Sequence, residues 1–115
     1  MKKRASFRLR VYWGDVPAIG PGKIALLEAI IAQGSIRAAA KGLEMSYNRA
    51  WLLIHEMNDC FKSPVVEGVA GGAKGGGAHV TPLGLQLIEE YRAIERVADS
   101  VNQSKIEKLM TLLKP

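Results

Sequence analysis

Residues 35–61 read SIRAAAKGLEMSYNRAWLLIHEMNDCF, and two helix starts can be located in this stretch. Ser35 is suited to cap a short helix from residue 36 to about 42, because a serine hydroxyl accepts a hydrogen bond from an amide of the first helical turn. Ser46 is suited in the same way to cap a longer helix that ends near Phe61. Residues at helical spacing predict the inward faces: Ile36, Ala39, Ala40 and Leu43 in the first helix, and Ala50, Ile54, Met57 and Phe61 in the second. A short alanine-rich helix joined to a longer one by a brief turn has the proportions of a helix-turn-helix unit.

The residues before this unit predict a strand and a further helix. FRLRVYW, residues 7–13, alternates apolar and polar side chains, which is typical of a half-buried strand with Phe7, Leu9, Val11 and Trp13 on its buried side. GDVPAIGPG, residues 14–22, is interpreted as a turn. Pro21 suits the first position of a helix over 21–33, which Gly34 ends.

A glycine-rich stretch, GGAKGGGA at residues 71–78, lies between two short strand-like runs, VVEGV and AHVT. It is not a Walker-type phosphate loop, because Gly75 rather than a Ser or Thr follows Lys74 and a strand follows instead of a helix. The dinucleotide pattern also fails, since Val80 stands where its third glycine is needed. A β-hairpin is therefore predicted, with an interdomain linker as the alternative. A hairpin directly after a helix-turn-helix is a wing.

Thr81 and Pro82 open a long helix in the same way, with a cap followed by proline. Its apolar residues recur at coiled-coil spacing and predict a dimerisation seam of Leu87, Tyr91, Ile94, Ala98 and Val101. The pattern lapses at NQSK, where Ser104 and Glu107 form a capping box. A last short helix beginning at Ser104 is therefore the alternative to one continuous helix.

Composition limits the classes of protein that the chain can belong to. The chain has 115 residues, one cysteine (Cys60) and a net charge of +5, and residues 1–62 carry ten of its 16 Lys and Arg side chains. A lone cysteine gives no disulfide framework, and neither His55 nor His79 has a second ligand at metal-site spacing, so no metal site and no cofactor are predicted. The longest apolar run, residues 24–32, contains Glu28, which argues against a membrane span. No paired carboxylates, Ser/His/Asp set or nucleotide loop suggests an enzyme, and a cytoplasmic location is the expectation.

The segments GSIRAAAKGLEMSYNRAWLLIHEMN and VVEGVAGGAKGGGAHVTPLG resemble the N-terminal winged-helix DNA-binding domain of the ModE-type molybdate-responsive transcriptional regulators, which are related to the LysR-type helix-turn-helix. The resemblance covers about residues 7–95. It implies a bacterial regulator that binds double-stranded DNA as a homodimer through the helix at 46–61 and a glycine-rich wing.

The chain departs from the pattern of this family at three places. Glu44 stands where relatives commonly have glycine, so either the turn there is not left-handed or the backbone accepts strain. In the wing the basic residue comes one position later than usual, and His79 stands where arginine is common. Residues 96–115 are too few for the family's molybdate-binding domain, so a standalone DNA-binding domain is expected. We therefore do not expect this chain to bind molybdate tightly, and a separate effector-sensing protein is a candidate partner.

Candidate DNA-binding residues follow from these assignments. At the start of a recognition helix, side chains reach base edges in the major groove, where Asn48 can pair with adenine and Arg49 with guanine or a phosphate. Trp51 either contacts DNA or packs inside. Hydroxyls and amides at helix starts can hold phosphates, and the wing can approach the DNA backbone. The full candidate set is Ser35, Arg37, Ser46, Tyr47, Asn48, Arg49, Trp51, Leu52, Lys74 and His79.

The sequence therefore predicts a mainly α fold with a small β component: a winged helix-turn-helix made of an N-terminal strand, three helices and a β-hairpin wing, followed by a long C-terminal dimerisation helix. The predicted domains are 1–81 for DNA binding and 82–115 for dimerisation. The predicted function is sequence-specific binding of duplex DNA in transcription regulation. The alternative is a winged-helix module that binds proteins and has lost DNA binding.

Overall fold

The structure of the chain, a computed structural model, describes residues 1–68 and 77–115. Within these ranges the elements are β1 Val11–Trp13, β2 Val16–Ile19, α1 Pro21–Gln33, α2 Ile36–Gly42, α3 Tyr47–Cys60, β3 Val66–Gly68, β4 Ala78–Val80 and α4 Pro82–Met110. β3 and β4 pair antiparallel, with Glu67 opposite His79, as the bases of a hairpin. The predicted tip of that hairpin lies outside the described residues. The predicted fold class, a mainly helical winged helix-turn-helix with a long C-terminal helix, is confirmed.

The segment before α1 differs from the prediction. The strand predicted over 7–13 is limited to β1, and the stretch interpreted as a turn contains β2, which pairs antiparallel with β1. Gly14, with a φ of 61°, allows the tight connection between Trp13 and Val16. Pro17 made this stretch resemble a turn, but proline is tolerated in an edge strand. The side of β1 that was expected to be buried is exposed, since Trp13 keeps 65% of its surface accessible.

The core lies between α1, α2 and α3. These helices contribute the buried side chains of Ile24, Leu26, Leu27 and Ile30 from α1, Ala39 and Ala40 from α2, and Ala50, Ile54 and Met57 from α3, and Ile19, Val65, Val66, Ala78, Val80 and Tyr91 complete the core. Because the buried residues of α2 are alanines, its backbone can approach its neighbours closely. Ile36, Leu43 and Phe61, which were also expected to face inward, are half-buried against this core.

A buried lysine joins three elements of the N-terminal half. The ammonium group of Lys23, on α1, donates hydrogen bonds to the backbone carbonyl of Pro17 in β2 and to the carboxylate of Glu56 in α3. Lys23 is only 6% exposed, so these acceptors replace the water that it loses. The sequence pattern gave no sign of this ion pair, because its two members belong to different helices.

The turn between α2 and α3 is left-handed at Glu44, the residue that stands where relatives commonly have glycine. Glu44 has a φ of 56°, in the left-handed region. Its amide donates to the carbonyl of Lys41, and the amide of Met45 donates to the carbonyl of Ala40, which together form the Schellman arrangement that usually places glycine at this position. The turn therefore keeps the left-handed geometry, and the backbone accepts the strain of a side chain there.

The start of α4 is fixed to the base of the hairpin. The Thr81 hydroxyl accepts from the amide of Gly84 at 3.1 Å and donates to the carbonyl of Pro64 at 2.7 Å. Gly84 leaves no space for a side chain, because an added Cβ would lie 2.5 Å from the carbonyl oxygen of Val65 and 2.5 Å from a methyl carbon of Val80. The close approach of α4 to the hairpin base therefore requires glycine at this position.

Farther along α4, Tyr91 and Arg92 hold the helix to the rest of the fold. Burial, and then the neighbouring carboxylate of Glu95, raise the pKa of the Tyr91 phenol, and its hydroxyl donates to the carbonyl of Leu9 at 2.8 Å. Hydrogen bonds to the carboxylates of Glu28 and Glu95 raise the pKa of the Arg92 guanidinium above its ordinary value. These contacts connect α4 to α1 and to the N-terminal segment.

Beyond Arg92, α4 continues as one helix to Met110. The alternative break at Ser104 is wrong, because neither glycine nor proline interrupts the helix there and the capping box lies within it. No helix among the described residues is long and apolar enough to cross a membrane.

Candidate nucleic-acid interface

The start of α3 presents the predicted base-reading residues to solvent. The Ser46 hydroxyl accepts from the amide of Arg49 at 3.1 Å and so caps the helix. Tyr47, Asn48 and Arg49 are all exposed. Leu52, one turn later, is 61% exposed. This exposed surface has donors, acceptors and an apolar side chain, the groups that can read base edges.

These residues do not all point in one direction. Arg49 lines a shallow depression with Arg10 and Leu53, beside the start of α1. Tyr47 and Trp51 line a cleft on the opposite side, next to the hairpin. Asn48 and Leu52 lie between these two directions by helical geometry. The exposed start of α3 is thus wide enough to contact more than one part of a groove.

Arg37 and Ser35 lie at the start of α2, beside α3 and the hairpin. The guanidinium carbon of Arg37 lies 4.7 Å from the centre of the Tyr47 ring, a cation–π contact that holds both side chains. The Ser35 hydroxyl accepts from the amide of Ala38 and caps α2. Next to it, the amide of Ala78 donates to the carbonyl of Gly34, which fixes the start of β4 beside the start of α2. The helix-turn-helix and the base of the wing therefore meet at this point.

We call the space between α3 and the hairpin base the wing-side cleft. It has a volume of about 450 Å³ and is lined by Ile36, Arg37, Tyr47, Trp51, Ile54, His55, Asn58, Val66, Gly68 and Gly77. Trp51 is 42% exposed there, so its indole is partly packed against the protein and partly accessible to solvent. The cleft brings Arg37, Tyr47 and Trp51 of the predicted set to one place.

Two residues of this cleft were not predicted as functional. The His55 ring stacks on the Trp51 ring with centroids 3.6 Å apart. The Asn58 side chain accepts from the amide of Val65 at 2.8 Å and donates to the carbonyl of Val66 at 3.2 Å, so it fixes β3 to α3. The spacing of four residues between Trp51 and His55 could have indicated the stack. The role of Asn58 depends on where the hairpin packs, which the sequence pattern does not give.

Of the two candidate DNA-binding residues in the wing, Lys74 and His79, the structure describes His79. His79 is exposed on β4, directly across from the carboxylate-bearing Glu67 of β3. Lys74 lies outside the described residues and stays a prediction.

Basic residues outnumber acidic ones in the N-terminal half, residues 1–62. Five of the 11 Asp and Glu residues lie in residues 1–62. Two of these five are engaged, since Glu56 pairs with Lys23 and Glu28 pairs with Arg92 from α4. Arg10, Arg37 and Arg49 are exposed near α3 or at the start of α2. This distribution attracts polyanions toward the surface that carries the start of α3.

A helix-turn-helix whose second helix has an exposed polar start, followed by a two-stranded wing, defines the winged helix-turn-helix class. The fold of this chain is similar to the solved structure of ArgP from Mycobacterium tuberculosis, with a TM-score of 0.52 and 20% sequence identity. The match covers 76% of this chain and 30% of the ArgP chain. At this identity the similarity supports the fold alone.

The chain is also similar in sequence to curated proteins named ModE and MopB. It is 45% identical over 78 residues to the molybdenum transport protein ModE of Azotobacter vinelandii, and 47% identical over 77 residues to the molybdenum-pterin-binding protein MopB of Rhodobacter capsulatus. It is 40% identical over 77 residues to the DNA-binding transcriptional dual regulator ModE of Escherichia coli K12. These alignments cover 67 to 68% of this chain and 28 to 29% of the relatives.

The resemblance to the ModE-type regulators that the sequence predicted is thereby confirmed over about two thirds of the chain. The chain spans less than a third of the length of these relatives. No family model matches the chain.

Proposed function

We propose that this chain is a sequence-specific DNA-binding module of a transcriptional regulator and that it binds duplex DNA through α3 and the wing. The observation that carries the proposal is the capped, exposed start of α3, where Tyr47, Asn48 and Arg49 stand free of the core. Relatives named as transcriptional regulators support the same role. A module that binds chromosomal DNA works in the cytoplasm of a bacterium.

The contacts of this proposal divide by type. Asn48 and Arg49 read base edges, since their amide and guanidinium groups match adenine and guanine in the major groove. Ser35, Arg37 and Ser46, at the starts of α2 and α3, hold phosphates. Lys74 and His79 contact the DNA backbone from the wing.

The proposal includes a homodimer that pairs along α4. Within the protomer Tyr91 is 2% exposed and Leu87 packs partly against the core, so the first two residues of the predicted seam face inward. Ile94, Val97 and Val101 are 52%, 61% and 75% exposed, and their spacing puts them on one side of the helix. We place the seam along these three residues, with Ala98 at its edge.

Salt dependence tests DNA binding against the alternative of a protein-binding module. Each phosphate that the protein neutralises releases counterions, so the logarithm of the binding constant falls with the logarithm of salt concentration by about 0.9 per contact. We expect a slope of about −4 or steeper for a random duplex, measured by fluorescence anisotropy. A chain that shows no salt-dependent affinity for duplex DNA would support the protein-binding module instead.

A further inference from the structure

The stacking of His55 on Trp51 fixes the direction of each imidazole nitrogen. The two rings are nearly parallel, with an angle of 28° between their planes, and Nδ1 of His55 lies 3.0 Å from the carbonyl oxygen of Trp51. A carbonyl oxygen can only accept a hydrogen bond, so Nδ1 must carry a proton. Nε2 has no hydrogen-bond partner among the described residues. In the neutral ring Nε2 is therefore an acceptor that is free to meet a ligand.

His55 lies on the wing side of α3, two helical turns beyond Tyr47. Eight residues of α-helix span about 12 Å. The first turn of a recognition helix reads bases, while residues farther along the helix approach the DNA backbone that borders the groove. His55 is exposed and shares the wing-side cleft with Arg37, so both rims of the cleft carry groups suited to phosphate.

Resting on the proposed function, we infer that His55 contacts a DNA phosphate through Nε2, and that it does so only as the imidazolium. A neutral Nε2 presents a lone pair to the phosphate oxygen, and two acceptors repel each other. When Nε2 takes a proton from solvent it becomes a donor, and the contact becomes a charge-assisted hydrogen bond. Protonation of Nε2 thus strengthens the contact, so DNA affinity rises as the pH falls.

The groups around His55 are compatible with the charged ring. The indole face of Trp51 attracts a cation, so the stack is retained on protonation. Asp59, one turn later on α3, is exposed and offers an opposite charge. From α2, Arg37 lines the same cleft and adds a like charge, which a bound phosphate offsets. On β3, Val66 and Gly68 line the cleft without charge, and Glu67 faces the other side of the strand.

The test measures binding of a fluorescent random duplex at about pH 5.5 and pH 8, the range in which histidine titrates. We expect the full chain to bind about tenfold more tightly at the lower pH and the salt slope to be steeper there by about 0.9, the share of one phosphate contact. His55→Gln removes the larger part of both differences. His55→Lys carries a fixed charge and binds at pH 8 with close to the affinity of the parent chain at the lower pH.

His79→Gln is measured beside it, because His79 is the second of the two histidines and is itself proposed to contact the DNA backbone, so its share of the pH difference has to be separated from that of His55. The pH difference persists in this variant if His55 is its source. Circular dichroism at both pH values separates binding from unfolding. Two results overturn the inference about His55 and leave the proposed DNA binding intact. One is equal affinity of the parent chain at both pH values. The other is a pH difference that His79→Gln abolishes and His55→Gln keeps. A parent chain that binds no duplex at either pH contradicts the proposed function itself.

Discussion

Glu44 occupies a left-handed backbone conformation, with a φ of 56°, that a glycine adopts at lower cost. Its side chain is exposed. We predict that Glu44→Gly raises the free energy of unfolding by about 1 kcal/mol, because it removes the contact between Cβ and the backbone. Glu44→Ala removes the same charge and keeps Cβ, so it is the matched control and gains nothing. Urea unfolding of both variants checks this, and equal stability of the two would show that the turn is not strained.

Asn48 and Arg49 are exposed on α3 and do not pack in the core. We predict that Asn48→Ala and Arg49→Ala each weaken binding to the preferred DNA site by about 1 to 3 kcal/mol, the cost of losing one base contact. Neither variant changes the melting temperature noticeably, since surface substitutions usually alter stability by less than about 0.5 kcal/mol. Anisotropy titrations on the preferred site and on a random duplex distinguish the roles. An equal loss on both would make these residues phosphate contacts.

The candidate site was predictable at the residue scale where it depends on local sequence. Ser46 predicted the start of α3, and the helical pattern predicted which residues of α3 are exposed. The pairing of Lys23 with Glu56 and the contact of Asn58 with β3 were not predictable, because each joins elements that are separate in the sequence. A polar residue on a helix has the same local pattern whether it is solvated or bonded to a distant backbone group.

At the scale of elements, Gly84 determines how closely α4 approaches the hairpin base. We predict that Gly84→Ala lowers the free energy of unfolding by about 1 to 3 kcal/mol, the usual cost of overpacking, because its Cβ would meet the backbone carbonyl of Val65 at 2.5 Å. Gly22→Ala is the control of opposite sign. A Cβ at Gly22, in α1, meets no atom of residues 1–68 or 77–115 within 4 Å, so the substitution stabilises the helix by about 0.5 to 1 kcal/mol.

Thermal and urea unfolding of the Gly84 and Gly22 variants measure both effects. A Gly84→Ala protein as stable as the parent chain would mean that α4 does not pack tightly on the hairpin base.

The helices were easier to predict than the strands. Ser35, Ser46 and the Thr81–Pro82 pair mark three helix starts through local hydrogen bonds, and the structure has each of these caps. β2 was missed because Pro17 indicates a turn, whereas pairing with β1 requires long-range information. The capping box at Ser104 suggested a helix start, but continuing an existing helix adds one hydrogen bond per residue and avoids a new nucleus.

On the scale of the whole molecule, α4 makes the chain elongated. The principal extents of the chain are 56 × 31 × 23 Å. The radius of gyration of the chain is 16.9 Å, whereas a compact domain of this size has a radius of gyration of about 13 Å. The part of α4 beyond Arg92 carries the exposed side chains of Ile94, Val97 and Val101. A projecting helix with an apolar side is suited to pair with a second copy of itself.

We predict that Ile94→Glu converts a dimer into a folded monomer, because it places a charge in the apolar seam, and that operator binding weakens at least tenfold. Gln103→Glu adds the same charge at an exposed position about 180° around the helix from Ile94 and leaves the dimer intact. Light scattering gives the mass, and circular dichroism checks the fold. An Ile94→Glu protein that stays dimeric would move the dimer interface away from this part of α4.

Selection of bound sites from a pool of random duplexes tests the central claim most directly, because it measures DNA binding, sequence preference and symmetry together. We expect the recovered sites to share a palindromic motif whose half-sites are separated by about 10 base pairs or a multiple of that distance, as two copies of α3 in successive major grooves require. We also expect the motif to lose definition when the selection is repeated with Arg49→Ala. Recovery of duplexes without any shared motif would contradict sequence-specific binding by this chain.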